Sequence, residues 1–253
     1  MSVDPALFER LWHAHAAGRV DPREFPALDV AEGQTLQVAL IDRLRGDGRL
    51  VGGWKLGLTS GAGRDSFGAG VRPFGFVLAE RIHSSGAALA LSDIVSCGLE
   101  NELCFVIDTP LGAGSTAADA RAAIRGVAPA FEVNQHRLTG RASPGLAVAD
   151  NLSQWGLVVG APVELPLTFD FEALIVTLER DGEPVQTVSA RYHIDDHFES
   201  LACLANGLAR HGLALEPGHR VITGSFTRQP VREPGCWSGR FGAPFADVTL
   251  TLR

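Results

Sequence analysis

The chain has 253 residues, 45% of them hydrophobic and 20% charged, a composition that is typical of a globular protein and excludes a disordered one. Twenty-two basic residues against 29 acidic residues give a formal net charge of −7, which argues against a nucleic-acid partner. No apolar run approaches the ~20 residues of a membrane-spanning helix, and Asp4 and Glu9 lie where a signal peptide would be basic and then apolar. We therefore expect a cytoplasmic protein that acts on a small molecule and has no membrane partner.

Two amphipathic helices are predicted in residues 1–50, joined by the connector VDPREFPALD. Their apolar stripes are Leu7, Phe8, Leu11 and Ala14 in the first helix and Leu36, Ala39, Leu40 and Leu44 in the second. From residue 51 onward, short apolar runs bounded by Gly, Pro and Asp predict strands. Asp181-Gly182 predicts a hairpin between ALIVTLER and EPVQTVSA, and the alternating segment VTLTL predicts a further antiparallel strand.

Two later helices are predicted, one near residues 116–127 and one near residues 197–212 that ends at Gly212. No linker divides the chain into independent parts. The sequence therefore predicts one α+β domain over residues 1–253. It consists of a helical N-terminal segment, residues 1–50, and a β-rich mixed-sheet catalytic core, residues 51–253.

Lys55 is the only lysine among the 22 basic residues, the other 21 being arginine. A lysine amine is compact and shifts its pKa readily, so it suits proton transfer or close approach to an oxyanion. The alternative is that arginine codons are favoured throughout and one lysine remains by chance. Composition alone leaves both explanations open.

Glu100 and Glu102 open the apolar run LENELCFVI, and residues two apart on a strand face the same side. Like charges at the edge of a core are costly without a cation. Glu132 lies in another short apolar segment, PAFEVNQHR, and three carboxylates suit a hard divalent cation. A solvated strand face remains the alternative explanation of the Glu-x-Glu pair.

Six motifs occur in the order and at the approximate spacing of one known family. They are GWKLGLTS (53–60), LENELCFVI (99–107), PAFEVNQHR (129–137), VADNLSQWGLVVG (148–160), CLANGLARHG (203–212) and TGSFTRQPV (223–231). From about residue 7 to residue 253 the chain resembles the 2-keto-4-pentenoate hydratase and 4-oxalocrotonate decarboxylase family, a relative of fumarylacetoacetate hydrolase. The resemblance implies a fumarylacetoacetate hydrolase-like fold.

A divalent cation, Mg²⁺ or Mn²⁺, held by Glu100, Glu102 and Glu132 is the first thing that this resemblance implies. It also implies substrates that are 2-hydroxydienoates or 2-oxo-enoates, as in the degradation of aromatic compounds, and an ammonium that stabilises developing enolate charge. The other site residues implied are the catalytic Lys55 and Ser153 and the substrate-binding Ser60, Asn151 and Arg228.

One position departs from the hydratase pattern, because Pro73 stands where an acidic residue usually precedes the aromatic-Gly pair. The loss of that acid favours a decarboxylase, in which the acid is also replaced. The segment GSFTR favours a hydratase of dicarboxylic substrates, with Arg228 paired to the distal carboxylate. We predict a hydratase, with a 4-oxalocrotonate decarboxylase-like enzyme or a related oxo-acid hydrolase or tautomerase as alternatives.

A homo-oligomer is predicted from the resemblance and from the apolar C-terminal strand, which would otherwise present an exposed edge. Association with a partner enzyme of the same pathway is a further expectation of the resemblance. A catalytically silent relative that only binds such a partner is the non-enzyme alternative. The presence of Lys55 and of all three glutamates argues against it.

Overall fold

Five α-helices and thirteen β-strands make up the computed structural model, which describes residues 4–253. The helices are α1 (Pro5–Ala16), α2 (Val30–Gly46), α3 (Ala117–Ala122), α4 (Pro144–Ala149) and α5 (His197–Ala209). The strands are β1 (Val51–Leu56), β2 (Phe74–Leu78), β3 (Ile82–Ser84), β4 (Ala87–Leu89), β5 (Cys97–Ile107), β6 (Ile124–Gln135), β7 (Gln154–Val159), β8 (Ile175–Arg180), β9 (Glu183–Ser189), β10 (Arg220–Ser225), β11 (Gln229–Pro230), β12 (Gly235–Arg240) and β13 (Val248–Leu252).

Eight strands form a mixed sheet in the order β2-β1-β10-β5-β6-β7-β3, with β11 paired to β5. Although β2 and β7 lie near opposite ends of this order, they contact each other, so the sheet is rolled. One face, here called the inner face, carries an apolar cluster of small and branched side chains. Its members are Val77, Cys104, Ala128, Ala130, Leu157, Val159 and Ile222. The remaining five strands form a second sheet in the order β4-β13-β12-β8-β9.

Each helix begins at a side chain that accepts a hydrogen bond from a backbone N–H of the first turn, which satisfies donors that a helix start leaves free. These residues are Asp4, Asp29, Thr116, Ser143 and Asp196. The predicted helical N-terminal segment is confirmed: α1 and α2 cover the apolar stripes, and Leu40, Ile41 and Leu44 join the main core.

The packing of α2 on α4 depends on two glycines, because a Cβ at Gly33 would lie 2.0 Å from the carbonyl oxygen of Gly145. Real side chains do not approach backbone so closely, so glycine is required where these helices cross.

None of the helices in residues 4–253 combines the length and the apolar character needed to span a membrane. The single domain over residues 1–253 stays a prediction, and residues 1–3 lie outside the described part.

Two expectations from the sequence are wrong in detail. The helix predicted near residues 116–127 ends at Ala122, and Ile124 already begins β6, because this segment supplies β-branched and buried side chains to the sheet. The C-terminal strand β13 presents no free edge, because it pairs with β12 on one side and β4 on the other. The hairpin at Asp181-Gly182 is confirmed between β8 and β9, with positive φ at both turn residues.

Candidate active site

Three glutamates converge on the inner face at one end of the rolled sheet. Glu100 and Glu102 lie two residues apart on β5, and Glu132 on β6 is the direct cross-strand partner of Glu100. One carboxylate oxygen from each lies within 4.8 Å of the other two. All three side chains are buried, with 5%, 4% and 1% of their residue surface exposed. The strand register therefore concentrates three acidic groups in a space that water scarcely reaches.

Two cations contact this cluster. The Lys55 ammonium donates a hydrogen bond to Oε1 of Glu132 and a second, at 3.2 Å, to the backbone carbonyl of Leu152. The Arg228 guanidinium lies with Nε 2.7 Å from Oε1 of Glu100, although its side chain is 71% exposed. Lys55 is buried in the cluster, whereas Arg228 covers it from the solvent side.

Two polar contacts to the cluster were not anticipated from the sequence. The backbone N–H of Gly224 donates to Oε2 of Glu102 at 2.8 Å, and the amide of Asn134 donates to Oε1 of Glu100 at 3.1 Å. A signal existed for Asn134, because it follows Glu132 by two residues on β6 and so shares its face. Nothing in the sequence order indicated the N–H of Gly224.

Burial raises the pKa of Glu102 well above its ordinary range, and the neighbouring carboxylates of Glu132 and Glu100 raise it further. Burial also raises the pKa of Glu132, against the opposing effect of Lys55. Carboxylate oxygens are the donors that hard cations such as Mg²⁺ and Mn²⁺ prefer. The donor set and the uncompensated negative charge both fit a divalent cation.

The position of Lys55 depends on close backbone packing. Its cross-strand partner on β2 is Gly75, where a Cβ would lie 2.9 Å from Cγ of Lys55. Residues Asn151–Ser153 all have positive φ, and this left-handed turn aims the Leu152 carbonyl at the ammonium. The side chain of Asn151 holds the turn against β2, because it accepts from the N–H of Phe76 and donates to its carbonyl.

The other site residues implied by the resemblance lie around the same end of the sheet. The hydroxyl of Ser60 accepts from the N–H of Ser225 at 3.1 Å, and Ser225 is the cross-strand partner of Glu102. Ser153 is half-buried and directly follows Leu152. Lys55, Arg228 and the glutamates thus form one contact network, Ser60 and Ser153 flank it, and Asn151 supports the turn behind it.

A buried ion pair fixes the chain next to the left-handed turn at residues 151–153. Nε of Arg137 lies 2.8 Å from Oδ1 of Asp150, and the same guanidinium donates to the Asp150 carbonyl at 2.9 Å. Only 3% and 1% of the two residues are exposed. The pair holds the chain just before the left-handed turn, so its loss should affect both stability and the site.

Replacing Asp150 by Ala should lower the free energy of unfolding by about 3–5 kcal/mol, because it leaves the Arg137 guanidinium buried without its partner. Urea denaturation of the full chain measures this change. Asp247→Ala is the matched control, since its carboxylate pairs with an exposed Arg240 at 3.6 Å and should cost at most about 1 kcal/mol. Equal costs for the two variants would contradict the structural role of the buried pair.

No known family model matches the chain. Among curated relatives, it is 30% identical over 182 residues to the TodF product hydratase of Pseudomonas putida strain F1, covering 70% of this chain and 67% of that protein. It is 29% identical over 225 residues to the 2-keto-4-pentenoate hydratase of Burkholderia vietnamiensis, covering 87% and 86%.

The solved structure of the 4-oxalocrotonate decarboxylase from Pseudomonas putida G7, complexed with magnesium and adipate, superposes with a TM-score of 0.88 at 25% identity. The match covers 98% of this chain and 97% of that one. The α+β, fumarylacetoacetate hydrolase-like fold expected from the sequence is therefore confirmed. The chain is a lyase that belongs to the 2-keto-4-pentenoate hydratase and 4-oxalocrotonate decarboxylase family of the fumarylacetoacetate hydrolase superfamily.

Proposed function

We propose that this lyase is a hydratase that adds water to a conjugated 2-oxo or 2-hydroxydienoic acid and depends on Mg²⁺ or Mn²⁺. The observation that carries the proposal is the buried cluster of Glu100, Glu102 and Glu132 with Lys55 in contact. These glutamates would hold the cation, which when bound polarises the oxygens at the acid end of the substrate. The relatives named as hydratases and the neighbour complexed with magnesium support this assignment.

Lys55 is proposed as the residue that stabilises developing enolate charge and moves a proton. Its ammonium is buried beside the carboxylates, so it meets a substrate oxygen where water competes little. The Leu152 carbonyl holds the ammonium in place, which reduces the reorganisation that reaction requires. Ser153 and Ser60 are proposed to position the water or a substrate oxygen from the two flanks of the cluster.

Arg228 is proposed to recognise a second carboxylate of the substrate. Its guanidinium is largely exposed, and its partner Glu100 would be neutralised by a bound cation, so the guanidinium is free to turn toward an incoming acid. The related decarboxylase was solved with adipate, which is a dicarboxylate. A dicarboxylic substrate is therefore the class that this chain would take, and Asn151 would act by supporting the turn at residues 151–153.

Decarboxylation is the second candidate function, and Pro73 is the observation that favours it. Pro73 is buried next to the site, where its carbonyl accepts from the N–H of Gly57 at 2.8 Å, and its side chain has no proton to give. A hydratase with proline at this position must activate water through another group. A decarboxylase needs only a stabilised enolate to receive the electrons that CO₂ leaves behind.

An assay with Mg²⁺ or Mn²⁺ separates the two candidates. We expect 2-oxohex-3-enedioate to gain one water. We expect 2-hydroxypenta-2,4-dienoate to react more slowly, because it lacks the second carboxylate. Ultraviolet absorbance and the mass of the product measure both reactions. Release of CO₂ would assign the chain to the decarboxylases. No reaction with either acid, in protein that binds the cation, would contradict both and favour the oxo-acid hydrolase, the tautomerase or the partner-binding alternative.

A homo-oligomer is also proposed, now without the argument from a free strand edge. Large apolar side chains that are exposed in one chain, among them Leu167, Tyr192 and Ile175, support it. Size-exclusion chromatography should give a mass of at least twice the 26.8 kDa chain, and elution as a monomer at assay concentrations would contradict it. A cytoplasmic location and association with a partner enzyme of the same pathway remain predictions of the sequence.

A further inference from the structure

A polar cavity of about 310 Å³ lies between the C-terminal end of α1 and strands β2, β6 and β7 of the rolled sheet. Arginines dominate its charged lining: Arg49, Arg81 and Arg137 all reach it. The described residues that line it include neither Lys55 nor the three glutamates, so the cavity is distinct from the carboxylate cluster, and Asn151 is the one candidate site residue that it shares.

Two of these arginines already have carboxylate partners. Arg49 pairs with Glu80 at 2.7 Å, and Arg137 pairs with Asp150 at 2.8 Å. Asp93, the one acidic residue among the described residues that line the cavity, is exposed. The positive charge of the cavity therefore rests mainly on its third arginine.

Arg81 makes no salt bridge among residues 4–253, although the carboxylates of Glu80 and Asp93 act on it from farther away. Its guanidinium carbon stacks on Trp155, 4.6 Å from the ring centroid, which fixes the flat face and leaves the N–H groups at the edge free to donate. Burial and the neighbouring Arg49 and Arg137 lower the pKa of Arg81, and the more distant carboxylates of Glu80 and Asp93 oppose this effect only in part. The N–H groups of Arg81 are therefore available to donate hydrogen bonds to an anionic oxygen.

We propose that this cavity binds a small oxyanion, a phosphate or a carboxylate group, with Arg81 as its principal ligand. A guanidinium fork matches both anions through paired N–H···O bonds. A volume of about 310 Å³ lies within the range of small-molecule binding sites, so the anionic group can be part of a larger metabolite. Asn151 and Phe76 also line the cavity, so its occupant touches the same pair that supports the turn beside Lys55.

Calorimetric titration of the full chain without added metal tests the proposal, with inorganic phosphate in one arm and succinate in the other. We expect at least one of them to bind with a Kd of about 1 mM or tighter, and Arg81→Gln to weaken that binding at least tenfold. Arg191→Gln is the matched control, because Arg191 also stacks on an aromatic ring, that of Tyr192, but lies outside the cavity. It should leave the affinity unchanged.

The two arms distinguish the sources of the anion: binding of phosphate alone indicates a phosphorylated ligand, and binding of succinate alone indicates a carboxylic acid. Arg228→Gln should bind the anion with full affinity. If Arg228→Gln loses binding while Arg81→Gln keeps it, the anion binds in the active site and the proposal is overturned. Failure of both anions to bind would also overturn it. If Arg81→Gln does not fold, Arg49→Gln serves instead, with at least threefold weaker binding expected.

Discussion

Glu102→Gln is expected to lower turnover about a thousandfold and to weaken binding of Mg²⁺ or Mn²⁺ at least about a hundredfold, with the fold retained. The substitution removes one of the three negative charges that would hold the cation. It preserves shape, because the Gln oxygen can still accept from the N–H of Gly224. Steady-state kinetics and calorimetric titration with Mn²⁺ measure the two effects.

Although Glu102→Gln should lower turnover and cation affinity, it should not lower the stability of the metal-free protein. Burial and the adjacent carboxylates raise the folded-state pKa of Glu102, so its ionised form destabilises the fold. Metal-free wild type should therefore lose stability as the pH rises from the ordinary glutamate pKa of about 4.3 through the raised value. Glu102→Gln removes this loss and should be at least as stable as wild type at neutral pH, while gaining little in Tm from added cation.

Glu179→Gln is the control for this experiment, because Glu179 also lies on a strand and pairs with an arginine, Arg240, at 3.1 Å, but in the second sheet. It should keep both turnover and cation affinity. Full turnover in Glu102→Gln would contradict the assignment of the cation site. A retained biological role despite lost cation binding would instead support the catalytically silent, partner-binding alternative.

Lys55→Met is expected to reduce kcat by about 10²–10⁴-fold, the usual contribution of a positioned proton donor or acceptor. Unlike Glu102→Gln, which removes a cation ligand, Lys55→Met should not weaken cation binding. Without the ammonium beside Glu132, the cluster carries more uncompensated negative charge, so the cation should bind as tightly as in wild type or more tightly. Low kcat with retained cation affinity thus identifies Lys55 as a reacting group rather than a structural cation.

Lys55→Arg is the matched variant, because it keeps the positive charge. We expect it to remain at least a hundredfold impaired, since the packing of Gly75 against the Lys55 stem leaves little room for a guanidinium. Near-normal kcat in Lys55→Arg would show that charge alone suffices and would contradict the proton-transfer role.

Local patterns account for much of what could be predicted. The apolar stripes placed both N-terminal helices, the Asp181-Gly182 pair placed the hairpin, and the spacing of Glu100 and Glu102 placed two carboxylates on one face. These features depend on residues close in the chain, where helix or strand periodicity is sufficient. The helix near residues 116–127 was overextended because its last residues serve the long-range pairing of β6, which local propensity does not contain.

The sequence by itself therefore determined the fold class and the family, and it indicated candidate site residues, since motif order and side-chain chemistry are properties of the linear chain. Only the tertiary structure decided how those residues meet. It placed Glu132 opposite Glu100, brought the N–H of Gly224 to Glu102 and set Arg228 on Glu100. These contacts join segments far apart in the chain, and their register is chosen by the rolled sheet as a whole, because its buried inner face tolerates only one alignment of the strands.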